Sequence, residues 1–435
     1  VKDEVVTNDV SELSLAGAVA ALATGHLTAE RFAAGCLARI AEREPTTAAW
    51  EYLDPGAALE QAREIDRRGR PGPLHGAAIA VKDIIDTAGL PTRYGSPIYT
   101  GHRPPADAWC VSRLREAGAL ILGKTVTTEF AYFAPGKTVN PVDPGRTPGG
   151  SSSGSAAAVA DHMVPAALGT QTAGSTARPA AFCGIAGYVP THGRVPLTGV
   201  RHLSPGLDTL GYLARNVTDL ALLDAVVRRV DPPSRLAGGP LHVLIWRGLE
   251  LSELEPEMAA ALARAEADLG AAGATVSPFP LASVIPELVD AQVTVMAYEA
   301  ARVFDREQEQ RDQLSVQLLQ LIDRGTAIGE AAYREALRIA GEQRQRIGAL
   351  LGAETVIVAP AACGPAPLGL ASTGSPTFSR PWQLLGAPSV TIPGYRTDAG
   401  LPLGIQAIGA PGADPHLLRA AQRIEQIIQA AAATA

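Results

Sequence analysis

The sequence predicts an α/β fold, and three observations carry that reading. Short apolar, β-branched runs bounded by glycine and proline recur along the chain, as buried strands do. Longer segments between them space their apolar residues at helical intervals. The two patterns alternate, which is the arrangement of helices packed on a sheet. The length, 435 residues, suits one large unit with insertions, and no internal repeat is visible.

Taken in order, Ser11 to about Arg68 reads as helices. "SLAGAVAALATGHLTAERFAAGCLARIAEREP" is broken at Gly25 and stops before Pro45. "GPLHGAAIAVKDIIDTAG", Gly72 to Gly89, is a buried strand running into a loop. "AWCVSRLREAGALILGKTVTTEFAY" gives a helix and then the buried strand "ALILGKT". "LHVLIWRG" from Leu241 is a strand, and "PEMAAALARAEADLGAAGATV" is a helix followed by a strand. A mostly helical block runs from about Pro286 to Leu351, with "DREQEQRDQ", Asp305 to Gln313, as a solvated face. "ETVIVAP", Glu354 to Pro360, "APSVTIPG" and "LPLGIQAIG" are strands that rejoin the sheet, and a last helix starts near Pro415. The expected organisation is N-terminal helices over 1–70, a core over 70–235, the helical excursion over 286–351, and C-terminal strands and helix over 354–435.

A hydrophobic share of 46% with 19% charged residues is ordinary for a globular chain. The net charge of −7, with no basic stripe, argues against a nucleic-acid partner. No apolar run has the length of about 18 to 20 residues that a membrane helix needs. The opening "VKDEVVTNDV" lacks the charged-then-apolar layout of a secretion signal. Its start at valine implies a missing initiator or longer leader. Cys36, Cys110, Cys183 and Cys363 are neither at metal-ligand spacing nor numerous enough for a disulfide framework, so reduced thiols and a cytoplasmic address are expected. The eight histidines form no zinc pattern.

The chemistry-bearing candidates lie in three blocks. Every residue from Gly149 to Ser155 is glycine or serine. Alone, such a run reads as a flexible linker, yet well-patterned hydrophobic segments flank it. Next comes "GTQTAGSTARPAAFCG", Gly169 to Gly184, where Ser175 follows small residues. A small-residue backbone can aim successive N–H groups at one point, as an oxyanion site requires. A serine nucleophile needs a base, and no histidine is placed to serve. Lys82, within "AAIAVKDII", is the lysine whose apolar setting would bury it and keep it neutral. Asp83 either orients that lysine or caps a loop. Cys183 reads as a small buried filler.

These blocks resemble the amidase signature family, serine hydrolases with a Ser–cis-Ser–Lys triad. The resemblance rests on "GPLHGAAIAVKDIIDTAGLPT", "NPVDPGRTPGGSSSGSAAAVA", "GTQTAGSTARPAAFCGIAGYVPTHGRVP" and "LLGAPSVTIPG…GLPLGIQAIG", in the family's order. It implies a single α/β domain with a large twisted mixed sheet sandwiched between helices, and no metal or cofactor. Carried over by position, Lys82 is the catalytic lysine, Ser151 the serine after a cis peptide, and Ser175 the nucleophile. The interval of 24 positions between the two serines selects Ser151 over its neighbours Ser152 and Ser153. The backbone N–H groups of Thr172, Ala173, Gly174 and Ser175 form the expected oxyanion hole. The glycine-serine run then reads as catalytic wall.

The nucleophile block departs from the commonest family form, "GTDTGGSIRxPA". It has Gln171 for the acid, Ala173 for a glycine and the arginine moved to Arg178. This variant resembles malonamidase-type members, where the arginine three positions after the nucleophile binds a substrate carboxylate. Arg178 thus either anchors a substrate carboxylate or makes a structural ion pair. Gln171 and Tyr132 are the other expected substrate-binding residues, with Phe133 and the loop from Ser375 to Trp382 as further candidates for the wall. The resemblance implies hydrolysis of a carboxamide through a Ser175 acyl-enzyme, on a small amide that bears a carboxylate, by a chain that forms a homodimer. The alternatives are the glutaminase subunit of a tRNA-dependent amidotransferase and a catalytically silent binding protein on the same fold.

Overall fold

The buried apolar runs become strands because side chains covered on both faces favour β-branched and small residues over alternation. A computed structural model describes residues 10–69, 72–232, 241–352 and 355–434. The segment read for a secretion signal, apart from Val10, lies outside the described residues, as do the boundary near 235 and Glu354. Eleven strands follow in chain order: β1 (Trp50–Leu53), β2 (Ala78–Lys82), β3 (Leu120–Thr125), β4 (Ala166–Gln171), β5 (Ala186–Val189), β6 (Thr209–Ala214), β7 (His242–Ile245), β8 (Thr275–Pro278), β9 (Thr355–Pro360), β10 (Ser389–Arg396) and β11 (Pro402–Ile408). They join in one sheet of order β1-β3-β2-β4-β6-β5-β10-β11-β9-β7-β8. The sheet is mixed: β2 lies parallel to β3 and β4, whereas β4 and β6 run antiparallel. Helices flank it, giving a single α/β domain.

Register decides where chemistry can occur. Val81 pairs with Leu168 across the parallel β2–β4 ladder, so Lys82 and Gln171 both end their strands at the same edge of the sheet. Carboxyl ends of parallel strands are where open α/β sheets form ligand crevices. The helices Ser153–Ala160 and Ala177–Cys183 touch each other, the first packing on β2, β4 and β6 and the second on β5, β10 and β11. Helix 153–160 is made of serine, glycine, alanine and valine because it lies very close to its neighbours. A Cβ on Gly154 would sit 2.2 Å from the carbonyl oxygen of Ala49. Ser155 Oγ donates to the carbonyl of Leu168 at 3.0 Å, tying the helix to β4.

Three local readings are corrected. The N-terminal region is not all helical, since "WEYL" forms β1 and pairs antiparallel with β3. Four residues are too few to show a period, and the ladder of β3 supplies the missing order. The helix Ala29–Thr47 runs through Pro45. Proline here falls in the last turn: it forgoes one bond to the Ala41 carbonyl, and only Thr46 and Thr47 follow it in the helix. Glu44 then receives the N–H groups of Ala49 and Trp50 at 2.9 and 3.0 Å as the chain turns into β1. Within the expected solvated face, Glu307 is buried and accepts from Tyr99 Oη and Arg201 Nη2, each at 2.6 Å.

Candidate active site

The glycine-serine run is a packed wall. Every residue from Thr147 to Val159 is buried. Gly149 takes φ = 82° and its Cβ position lies 2.9 Å from Pro179 Cα, which leaves room for glycine alone. The Gly150–Ser151 peptide is cis.

Lys82, at the end of β2, is fully buried. Its Nζ donates to Ser151 Oγ at 2.7 Å and to Thr170 Oγ1 at 2.8 Å. Burial holds the amine well below its usual range, and the charge of Asp208 opposes this only in part. Sequence reasoning missed Asp208. Its Oδ1 accepts from Thr172 Oγ1 at 2.6 Å, and its Oδ2 from the N–H groups of Leu203 and Ser204 at 2.9 and 3.1 Å. Asp83 turns away from this centre. Its Oδ2 accepts the N–H of Arg93 at 2.9 Å, and its Oδ1 lies 3.3 Å from the second buried lysine, Lys124. Of the two roles open to it, the structure shows the loop cap.

Ser151 and Ser175 line one small cavity of about 290 Å³, solvent opening included. Thr172, Ala173, Gly174, Arg178, Tyr132 and Phe133 line it too. From Ala173 to Ala177 the backbone presents five successive N–H groups. Those of Thr176 and Ala177 both donate to Gln171 Oε1 at 3.0 Å. Among the described residues, those of Ala173, Gly174 and Ser175 are spent on no acceptor of the chain. Gln171 itself is buried and does not line the cavity. Its Nε2 donates to Gln383 Oε1 at 3.0 Å, so it braces the loop that carries Ser175 and is turned away from the cavity. The expectation that Gln171 binds substrate is corrected accordingly.

Arg178 is buried, and among the described residues it has no carboxylate within ion-pair distance. Its Nη2 donates to the Gly150 carbonyl at 2.6 Å and to Thr373 Oγ1 at 3.1 Å, while Nε and Nη1 have no partner. The guanidinium carbon lies 5.6 Å from the Phe133 ring centre. Burial and the nearby charge of Arg380 push the guanidinium down to about 9. A structural ion pair is therefore not what this side chain makes. Tyr132 forms part of the wall, and burial raises its phenol. Of the loop from Ser375 to Trp382, Pro376 reaches the cavity. Cys183 is a buried thiol, raised by burial. Among the described residues no cluster of His, Cys, Asp or Glu fits a metal ion, and no helix is long and apolar enough to cross a membrane.

The mixed sheet carries a buried lysine–serine pair at its carboxyl edge, and among the described residues no histidine lines the cavity beside it. The chain belongs to the Amidase family, whose model matches residues 32–418. It is 35% identical over 477 aligned residues to a Glutamyl-tRNA(Gln) amidotransferase subunit from Chloroflexus aurantiacus, covering 97% of this chain and 98% of that one. The crystal structure of an amidase superposes with a TM-score of 0.86 at 32% identity, covering 95% of this chain and 99% of that one. The peptide amidase of Stenotrophomonas maltophilia superposes with a TM-score of 0.78 at 28% identity, covering 96% and 97%. The chain is thus an amidohydrolase by family and fold.

Proposed function

We propose that the chain hydrolyses a small carboxamide carrying a carboxylate, through an acyl-enzyme on Ser175. Neutral Lys82 takes a proton from Ser151 Oγ across their 2.7 Å contact as Ser151 takes one from Ser175 Oγ. Ser175 Oγ bonds to the amide carbon, and the carbonyl oxygen becomes an oxyanion facing the N–H groups of Ala173, Gly174 and Ser175. The proton returns through Ser151 to the leaving nitrogen as the C–N bond breaks. Water then attacks the ester along the same relay and frees the acid. A lysine base in place of histidine is a variant of triad logic, and it needs the burial that Lys82 has.

One observation carries the substrate reading: a buried guanidinium facing the cavity with two unpartnered nitrogens and no carboxylate of its own. A carboxylate accepts two parallel bonds from such a fork.

The second reading, a glutaminase subunit of a tRNA-dependent amidotransferase with protein partners, is favoured by the relative in Chloroflexus. Glutamine also carries a carboxylate, but it adds an ammonium group. Among the described residues, no aspartate or glutamate lines the cavity to receive that group. Ammonia release separates the two readings: malonamate and succinamate against propionamide, benzamide and glutamine, with Ser175→Ala as blank. Turnover confined to the acid amides lacking an ammonium supports the proposal. Turnover of glutamine above the others supports the second reading, and turnover of neutral amides alone overturns the carboxylate assignment.

A further inference from the structure

Gln292 sits on the helix Ile285–Val303, 120 positions from Thr172, and is fully buried. Its Nε2 donates to the Thr172 carbonyl at 2.9 Å, and its Oε1 accepts from Nη1 of Arg380. A guanidinium only donates, so Arg380 decides which end of the carboxamide faces which partner: oxygen to Arg380, nitrogen to Thr172. Thr172 is held a second time through its hydroxyl, which donates to Asp208.

The consequence reaches the next residue. The Thr172–Ala173 peptide is trans, since the one cis bond among the described residues precedes Ser151. In a trans peptide the C=O and the following N–H point in opposite directions. With the Thr172 carbonyl turned to the helix, the Ala173 N–H turns the other way. Ala173 lines the cavity, and its N–H is spent on no acceptor of the chain.

We propose that Gln292 is a positioning residue that aims the Ala173 N–H at the developing oxyanion, with Arg380 fixing the orientation of its carboxamide. The inference rests on the reading of Ser175 as nucleophile. It assigns a task to the helical block between β8 and β9, which sends one side chain back to set the geometry of the nucleophile loop.

The test compares Gln292→Glu with Gln292→Met. Glutamate keeps the size and the partner of Arg380 but presents an acceptor to the Thr172 carbonyl. Methionine removes both bonds without adding a charge and guards against a folding failure specific to the glutamate. Removing one oxyanion donor outright costs roughly 10²–10³-fold in kcat, so a misaimed donor is expected to cost about 10- to 100-fold, with KM within about twofold. The rate at which a fluorophosphonate labels Ser175 should fall in parallel, because its phosphoryl oxygen occupies the same hole. Wild-type kcat in either folded variant, or a loss appearing mainly in KM, overturns the inference. Failure of both variants to fold overturns it as well, since Gln292 would then serve the fold. Absence of labelling in the wild-type chain fails the Ser175 reading first, and is told apart because it does not depend on position 292.

Discussion

Replacing Arg178 with lysine tests the substrate reading most directly. The side chain has two separable tasks. Its Nη2 holds the Gly150 carbonyl and Thr373, which supports the peptide before Ser151. Its Nε and Nη1 are unspent and adjoin the cavity. Hydrogen bonds to charged groups contribute about 1.5–3 kcal/mol each. Two such bonds to a substrate carboxylate therefore amount to about 3–6 kcal/mol. Lysine keeps the charge but loses the fork, so roughly half of this is lost, about 1.5–3 kcal/mol, or about 10- to 100-fold in kcat/KM. Any disturbance of Ser151 falls equally on every amide and cancels in a ratio. The assay is ammonia release from succinamate and from butyramide by the native and variant proteins. The acid-to-neutral ratio should fall about 10- to 100-fold. An unchanged ratio, with both rates lowered together, would refute the carboxylate anchor and leave Arg178 as a brace for the Gly150 carbonyl.

Lys82→Met should abolish turnover and flatten the pH dependence of stability. Between the depressed pKa of the buried amine and its ordinary value of 10.5, the unfolded chain binds a proton that the native chain lacks, so native Lys82 makes stability rise with pH across that window. Lys124, pushed down to about 8, contributes the same slope to both proteins and cancels. Urea midpoints from pH 6 to 9 should show a gap in favour of the variant that narrows as pH rises; parallel curves would count against a neutral buried lysine. Gly154→Ala should cost about 3 kcal/mol or more, at or beyond the usual range for overpacking, because its Cβ would lie 2.2 Å from Ala49 O and 2.4 Å from Val126 N. Gly341→Ala is the control. It lies within the helix Glu330–Leu351 with nothing within 4 Å of the added Cβ, and should gain about 0.5–1 kcal/mol. Equal denaturation midpoints for the two variants would refute the packing account.

The legible part of this chain is the part whose chemistry is local. Lys82 is legible as a buried amine within an apolar strand, although burial alone does not single it out, since Lys124 in β3 is just as buried. Ser175 stands out because tight backbone needs glycine, alanine and serine in a row, whereas Ser151 is selected from its run only by the family resemblance and the interval of 24 positions. Strands buried on both faces announce themselves by continuous apolar runs, which is why β2, β3 and β9 were readable. What the sequence did not disclose depends on distant partners. Asp208 and Gln292 belong to ordinary-looking segments, and only the fold brings them to Thr172, 36 and 120 positions away. Gln171 was expected to bind substrate as part of the variant nucleophile block, whereas its carboxamide oxygen is occupied by two backbone N–H groups. Nearness in sequence fixes the neighbourhood of a side chain, and hydrogen bonding decides which way it faces. Glu307 carries the same lesson on the helical block, where a run of charges hid one carboxylate committed to Arg201 and Tyr99.

The electrostatics of the cavity tie the base and the substrate reading together. Lys82, Arg178 and Arg380 are all at least nine-tenths buried, and burial is the first cause of depression in each. They do not share one fate. Burial drives the lysine amine toward its neutral form, whereas guanidinium starts about two to three units higher and keeps its charge more readily. The same burial therefore favours a neutral amine at Lys82 more strongly than it can discharge the guanidinium of Arg178. Asp208 is the carboxylate that acts on Lys82, yet its oxygens are already engaged by Thr172, Leu203 and Ser204. That engagement spreads its charge over several donors and leaves burial in control of the lysine. At Arg178, by contrast, the chain supplies a carbonyl and a hydroxyl and no anion. Leaving a buried cation without a counter-charge is unfavourable in the empty site, and a substrate carboxylate would relieve that cost on binding. Acid amides would then draw affinity from an instability built into the free enzyme, which is an advantage that a neutral amide of the same shape does not have.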